Sequence, residues 1–344
     1  MSKILVTGGT GYIGSHTVVE LLEEGIDVVI IDNLSNSERK VLDGISAITG
    51  KTPHFEEVDL RERERVFEVF RKHSDMEAII HFAAFKAVGE SVEKPLAYYE
   101  NNLLSLIHLL EAMKLFKVPH MVFSSSCTVY GEPDTLPVDE SAPIKKANSP
   151  YGNTKQISEE ILQDTLASDP DLSVISLRYF NPIGAHPSAQ IGELPIGIPN
   201  NLVPFVTQTA AGIREVLRVF GDDYNTPDGS AVRDYINVVD LAKAHIVAIK
   251  RMLGKKQKSA FEVFNLGTGK GLSVLEIVKA FEKATGQKLN YKVVDRREGD
   301  VEQVYADTAF ANRELGWKAE KGIEETLLTA WNWEKNIRSK KRES

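Results

Sequence analysis

One short stretch near the start restricts the fold more than any other. The apolar run Ile4-Leu5-Val6 leads into Thr7-Gly8-Gly9-Thr10-Gly11-Tyr12-Ile13-Gly14, and a helical pattern follows. The glycines satisfy G-x-G-x-x-G at Gly9, Gly11 and Gly14, and the wider G-x-x-G-x-x-G at Gly8, Gly11 and Gly14. Without side chains the backbone can approach a pyrophosphate, and a helix N-terminus offers it free N–H groups and a positive dipole end. Tight strand-to-helix turns use glycine for their own sake, so context decides. The turn follows a strand, precedes a helix, and lies about 20 residues ahead of an acid, Asp32, at the end of the second apolar run. A carboxylate there accepts both ribose hydroxyls of an adenosine and repels a 2′-phosphate. That favours NAD over NADP, although Arg39 and Lys40 lie close by.

The rest of the first half repeats this unit. Apolar runs recur at Val28-Ile31, Ala78-Phe82, His120-Phe123 and Val174-Leu177, with helix-period segments near 12–25, 62–73, 95–117 and 150–168 between them. Such alternation predicts an α/β fold, a doubly wound parallel Rossmann-type sheet covered by helices on both faces. After Asn181 the texture changes. Residues 181–200 hold Pro182, Gly184, Pro187, Gly192, Pro195, Gly197 and Pro199, which reads as a long ordered loop or a domain crossing. Beyond it the elements read as shorter and mixed.

Bulk properties exclude several classes. A net charge of -8, without a long basic run, argues against a phosphate backbone as the main partner; the basic end, Arg338 to Arg342, reads as a solvated tail. A single cysteine, Cys127, permits no intrachain disulfide and suits a reducing, cytoplasmic setting. No stretch approaches the roughly 18 apolar residues of a spanning helix, and the eight histidines show no metal-ligand spacing.

Further candidate sites fall at strand ends, where ligands bind in such sheets. Asp59-Leu60 closes the third strand. Asp59 could meet an adenine amine or cap the next helix. Phe82-Ala83-Ala84-Phe85-Lys86 closes the fourth with small residues and a lysine suited to phosphate or ribose. The fifth ends in Ser124-Ser125-Ser126-Cys127-Thr128-Val129-Tyr130-Gly131, and Ser149-Pro150-Tyr151-Gly152-Asn153-Thr154-Lys155 follows. Pro150 suits a first helical turn capped by Ser149. Tyr151 and Lys155, four apart, share a helix face. A nearby ammonium and a nicotinamide cation would both draw the phenol's pKa down toward working pH, making Tyr151 a proton acceptor from an alcohol. Ser126 could bridge that alcohol and Tyr151, and Lys155 could also hold the nicotinamide ribose. Cys127 has no base beside it in sequence and reads as packing.

Taken with Lys86-Ala87-Val88-Gly89-Glu90-Ser91, Arg178-Tyr179-Phe180-Asn181, Gly197-Ile198-Pro199-Asn200-Asn201-Leu202, Arg233-Asp234-Tyr235-Ile236 and Arg296-Arg297-Glu298-Gly299-Asp300, these motifs resemble the UDP-galactose 4-epimerases, within the extended short-chain dehydrogenases/reductases. The resemblance runs from residue 3 to 335. It implies an NAD-binding domain over 1–181 with a return near 233–254, and a smaller mixed α/β domain for the nucleotide sugar over 182–344. It implies tightly held NAD, met by Tyr12, Ile13, Asp32, Asn33, Asn36, Asp59, Leu60, Phe82, Ala83, Lys86, Asn101, Tyr151, Lys155 and Tyr179. Around a UDP-hexose it implies Ser126, Asn181, Asn201, Leu202, Arg218, Phe220, Arg233, Tyr235, Arg297 and Asp300. Arg233 and Arg297 suit a diphosphate, and Asp300 suits ribose hydroxyls. Val304 stands where family members with a bulky tyrosine are confined to plain hexoses, so the resemblance also implies room for an acetamido group. Family members pair through helices like those at 95–117 and 150–168, which implies a homodimer.

Related enzymes begin with the same oxidation. A sugar-nucleotide 4,6-dehydratase carries Asp-Glu after the serine or threonine to expel water, where this chain has Cys127-Thr128. A decarboxylase would need a group that selects a carboxylate, and none is evident. A non-catalytic NAD sensor would not need Tyr151 and Lys155.

Overall fold

Apolar runs without alternation have to be buried on both faces, and the first-half strands are. The computed structural model describes residues 2–297 and 301–343. Along the chain come β1 (Lys3–Thr7), α1 (Tyr12–Glu23), β2 (Asp27–Asp32), α2 (Val41–Thr49), β3 (His54–Glu57), α3 (Arg63–Lys72), β4 (Met76–His81), α4 (Val88–Glu93), α5 (Pro95–Phe116), β5 (His120–Ser126), α6 (Pro150–Ser168) and β6 (Ser173–Tyr179). The second half adds β7 (Asn181–Ile183), α7 (Leu202–Ala210), β8 (Leu217–Phe220), β9 (Val232–Asn237), α8 (Val238–Leu253), β10 (Phe261–Leu266), β11 (Gly271–Ser273), α9 (Val274–Thr285), β12 (Tyr291–Val294), β13 (Gln303–Val304) and α10 (Ile323–Glu343).

Seven strands form one parallel sheet in the order β10-β6-β5-β4-β1-β2-β3. Successive side chains divide between two cores. Ile4, Val6, Val28, Ile30 and Val122 face α1, α2 and α8, while Leu5, Val29, Ile31, Met121 and Phe123 face α3, α5 and α6. The chain leaves β1 for β2 on one side and returns to β4 on the other. A crevice therefore opens at the carboxyl ends of β1 and β4.

The sheet takes its last strand, β10, from beyond the 233–254 return expected from sequence. Glu262 and Asn265 break up its apolar run, which masks it as a strand. The expectation of shorter elements after 200 is corrected for two helices. Helices α8 and α10 have 16 and 21 residues. Val238-Val239 continues directly from β9, which blurs one boundary, and dense charge dilutes the apolar stripe of α10. A mixed set of strands, with β7, β11 and β13 on β9 and β12 on β8, packs with α7, α9 and α10 around Val203, Val206, Tyr235, Phe281 and Leu327. No helix among the described residues is long and apolar enough to cross a membrane.

Three of the buried histidines in the larger unit have a lowered pKa: His16 on α1, His81 at the end of β4 and His245 on α8. Burial lowers His16 and His81 to about 3 and His245 to about 4, so each is neutral in the fold. In the unfolded chain each would bind a proton near pH 6.5. Below that pH the unfolded state gains protons that the folded state refuses, so stability is present above 6.5 and is lost as pH falls toward 4. For three such groups the loss between pH 7 and pH 5 is roughly 5 kcal/mol. Urea midpoints at the two pH values measure it, and equal midpoints would show that these histidines protonate in place.

Candidate active site

The glycine turn is shaped first by its own packing. Gly8 has φ +70°, and a Cβ there would stand 2.8 Å from Ala83 N; one on Gly14 would stand 2.1 Å from Gly8 O. Gly11 is the N-cap of α1 and supplies no side-chain cap, so the amides of Tyr12, Ile13 and Gly14 have no intrahelical partner. The Asp32 carboxylate lies beside this opening. It accepts from Thr10 N (3.2 Å), Leu34 N (3.0 Å) and Ser37 Oγ (3.1 Å). The donor set, a cap-free helix end next to a fixed carboxylate, fits a dinucleotide.

Asn33 donates to Asp59 at 3.0 Å, linking two of the predicted contacts. Asp59 does not cap α3, whose N-cap is Glu62 with no side-chain bond. The carboxylate instead takes Arg61 Nη2 at 2.7 Å, and that guanidinium holds its pKa down at about 2. Leu60 is buried in the second core, and Asn36 is exposed. Ala83 N reaches Thr7 Oγ1 at 3.3 Å, and Phe82 packs on His245 with ring centroids 4.7 Å apart. Buried Asn101 bonds Asn102, whose amide reaches Phe85 O and Thr154.

At the end of β5 the three chemical residues converge. Ser149 caps α6 by accepting from Gly152 N at 3.1 Å, with Pro150 in the first turn. Tyr151 and Lys155 therefore face the strand end. The Ser126 hydroxyl lies near enough to the Tyr151 phenol to act on its pKa, and its oxygen accepts from Thr128 N at 3.2 Å. Tyr179 pairs with Ser126 across β5 and β6. Lys155 is buried, donates to Ser124 O at 2.6 Å and lies 4.9 Å from the Phe123 ring centre. One expectation needs correction. Burial pushes the phenol up to about 12, and what opposes this is the Ser126 hydroxyl, not Lys155. The ammonium is turned to the Ser124 carbonyl, and burial draws it down to about 8. The Cys127 thiol is pushed up to about 12 by burial and packs in a cluster with Val304, Phe180 and Val138.

The second half brings its predicted residues together in two groups. Strand register sets Asn181 beside Tyr235 and Val304 beside Arg233. Arg233 Nη1 donates to Val232 O at 2.8 Å. On β8, Arg218 and Phe220 point away from buried Leu217 and Val219, and the Arg297 guanidinium lies 4.5 Å from the Phe220 ring centre. Asn201 caps α7 ahead of Leu202 without a side-chain cap bond. Asp300 lies outside the described residues.

Two further residues escaped the sequence reading. Glu193 links the halves: it accepts from Lys86 Nζ at 3.2 Å and from Asn201 Nδ2 at 2.5 Å. Tyr12, whose hydroxyl donates to Gly184 O at 2.7 Å, ties the same halves on the other side of the turn. Asp234 accepts from Thr268 N, Thr268 Oγ1, Gly269 N and Ala306 N, which fixes β9 against the segment holding Val304. The acidic residue in Arg233-Asp234-Tyr235 was a visible signal for the second; nothing local marks the first.

Comparison with known proteins agrees with this arrangement. The GDP-mannose 4,6 dehydratase family matches residues 5–329. A UDP-glucose 4-epimerase of Bacillus subtilis (strain 168) is 54% identical over 331 residues, 96% of each chain. A crystal structure of the Stenotrophomonas maltophila UDP-glucose 4-epimerase, with bound NAD and formylated UDP-arabinopyranose, superposes with a TM-score of 0.95 at 46% identity, covering 99% of this chain and 100% of that one. That of the Bifidobacterium longum UDP-glucose 4-epimerase, in complex with NAD+ and UDP, gives a TM-score of 0.94 at 46% identity, covering 98% and 99%. This chain belongs to the UDP-glucose 4-epimerase family of the extended short-chain dehydrogenases/reductases.

Proposed function

We propose that this protein interconverts UDP-galactose and UDP-glucose by reversible oxidation at C4, using bound NAD. The observation that carries the reading is the convergence of Ser126, Tyr151 and buried Lys155, which is tied to Ser124 O, at the carboxyl end of a sheet whose crevice fits a dinucleotide. The protein is incubated with UDP-galactose, with no reductant added; UDP-glucose should form. Denaturing it should release NAD.

Bound NAD supplies a hydride acceptor for C4 and a positive ring that favours the Tyr151 phenolate. Gly8, Gly11, Gly14 and the first amides of α1 would take its pyrophosphate, Asp32 its adenosine ribose, and Lys155 its nicotinamide ribose. Arg39 is paired with Glu57 and Lys40 with Glu38, so each nearby cation has a carboxylate beside it. Tyr151 takes the proton of the 4-hydroxyl, and Ser126 orients that hydroxyl. The 4-keto sugar, tethered through its diphosphate, turns its other face, and Tyr151 gives the proton back. Arg233 and Arg297 suit the tether. Cys127 and Thr128 offer no acid to expel water, so the reaction ends at the epimer and not at a dehydrated product.

Two finer readings belong here. Leu96 is 81% exposed, and Val92, Leu104, Ile107 and Leu115 are exposed along α4 and α5. An apolar face of this kind supports pairing with a second copy. The lone cysteine supports a reducing, cytoplasmic location.

Three outcomes test the site. Tyr151→Phe should keep the fold and the NAD yet lose about 10²–10⁴ in kcat, because only the hydroxyl is removed; turnover within threefold of wild type would reassign the base. Asp32→Ala should retain less NAD through gel filtration and discriminate less against NADP; a wild type that retains the two equally sinks that role. Val304 is 8% exposed within its cluster. We expect the wild type also to epimerise UDP-N-acetylglucosamine and Val304→Tyr to lose that activity while keeping the plain hexose. Acetylated turnover that survives the tyrosine would show that the gate lies elsewhere.

A further inference from the structure

Behind the acid/base residues lies a buried carboxylate that the reaction above does not use. Glu159 follows Lys155 and Tyr151 on α6 at four-residue steps, so all three share one face. It is 4% exposed. Its Oε1 accepts from Ser125 Oγ at 2.6 Å, Ser176 Oγ at 2.9 Å and Arg178 Nε at 3.0 Å, and its Oε2 from Arg178 Nη2 at 2.5 Å. One side chain thus ties α6 to β5 and β6. Ser125 stands between Ser124, whose carbonyl receives Lys155, and Ser126, whose hydroxyl neighbours the Tyr151 phenol. Arg178 is held from its far side, where Nη1 donates to Tyr130 Oη at 3.0 Å and Tyr130 donates to Asn265 at 2.7 Å.

We propose that Glu159 is a positioning residue: it fixes the spacing between Ser126 and Tyr151 through Ser125, and its charge keeps Lys155 an ammonium. This rests on the reading of Tyr151 and Lys155 given above. Among the described residues, the charged or titratable groups facing Lys155 are Tyr151 and Glu159 on its own helix, His81 from β4, and Arg178 from β6 behind Glu159. Of these only Glu159 is an anion. Burial draws Lys155 down to about 8, and Glu159 is the charge that opposes the fall. Without the carboxylate, Lys155 would lose its proton within the working range.

Removing Glu159 alone would strand Arg178 as a buried unpaired cation, which endangers folding. The test therefore uses two other variants. In Glu159→Gln combined with Arg178→Gln the pocket stays polar and neutral. The high-pH limb of kcat should move down by about one pH unit, a tenfold change in proton concentration. Retention of NAD through gel filtration should fall at correspondingly lower pH. A merely structural pair would shift the thermal midpoint and leave both profiles where they were, and that result overturns the proposal. Ser125→Ala removes one hydroxyl and leaves the ion pair. Its kcat should fall about threefold to tenfold with KM unchanged; a wild-type kcat overturns the spacing role, and it decides alone if the double variant does not fold. Wild type is assayed alongside. If it fails to convert UDP-galactose, the functional reading falls and this one with it; if it converts and the variants follow its profile, only the role of Glu159 falls.

Discussion

A helix can approach a strand only as closely as the atoms between them allow, and between β1 and α1 there is no room for even one carbon. A Cβ on Gly14 would overlap Gly8 O, and one on Gly8 would press on the backbone of Ala83. The turn is thereby wedged between its own helix and the end of β4. From that contact α1 takes its line across the sheet, burying Val18, Val19, Leu21 and Leu22. The same contact lets Thr10 N reach Asp32 on β2 and Tyr12 Oη reach Gly184 in the second half. The opening for a ligand is what remains when these contacts have been made, so its shape does not depend on the ligand to hold it.

The second half has a different problem. Its strands are short, and a strand of two or three residues contributes few ladder bonds. Buried polar groups make up the difference. Asp234 gathers four donors from two segments. Asp240 accepts from Glu320 N and Lys321 N, and Trp317 Nε1 donates to its carbonyl. Both carboxylates accept backbone N–H groups, where an unbonded buried one would be costly. They anchor the strands that carry Arg233 and Val304.

This division explains what the sequence disclosed. The parallel sheet was legible because strands buried on both faces leave unbroken apolar runs, and α6 because Ser149-Pro150 marks a helix start. Tyr151, Lys155 and Ser126 were legible from spacing on elements already placed. Strand β10 was not, since Glu262 and Asn265 interrupt its pattern while their partners lie far away in the chain: Arg251 for the first, Tyr130 for the second. Glu193 and Glu159 were hidden for the same reason. A carboxylate on a helix or loop reads as solvated surface until the fold brings Lys86 and Asn201, or Ser125 and Arg178, to it. The share of Lys155 in the pKa of Tyr151 was misjudged because spacing locates an ammonium without showing which way it points, and Lys155 points to Ser124 O.

That orientation sets the chemistry of the site. Burial favours the neutral form of every ionisable group, so it moves Tyr151 and Lys155 in opposite directions, the phenol up to about 12 and the ammonium down to about 8. Left to the protein's own atoms, the proton stays on the tyrosine, and Tyr151 is an acid before it is a base. A base is required only when an alcohol is to be oxidised, and the cation that favours a phenolate is the same one that accepts the hydride. With Tyr151 as that base, a bound nicotinamide would make proton removal and hydride removal favourable together. On the reading proposed above, burial would hand the proton back to the phenol whenever no cation stood beside it, as the return half requires. The low dielectric that raises the tyrosine is thus a condition of reversibility: it makes the protonation of Tyr151 follow the charge beside it.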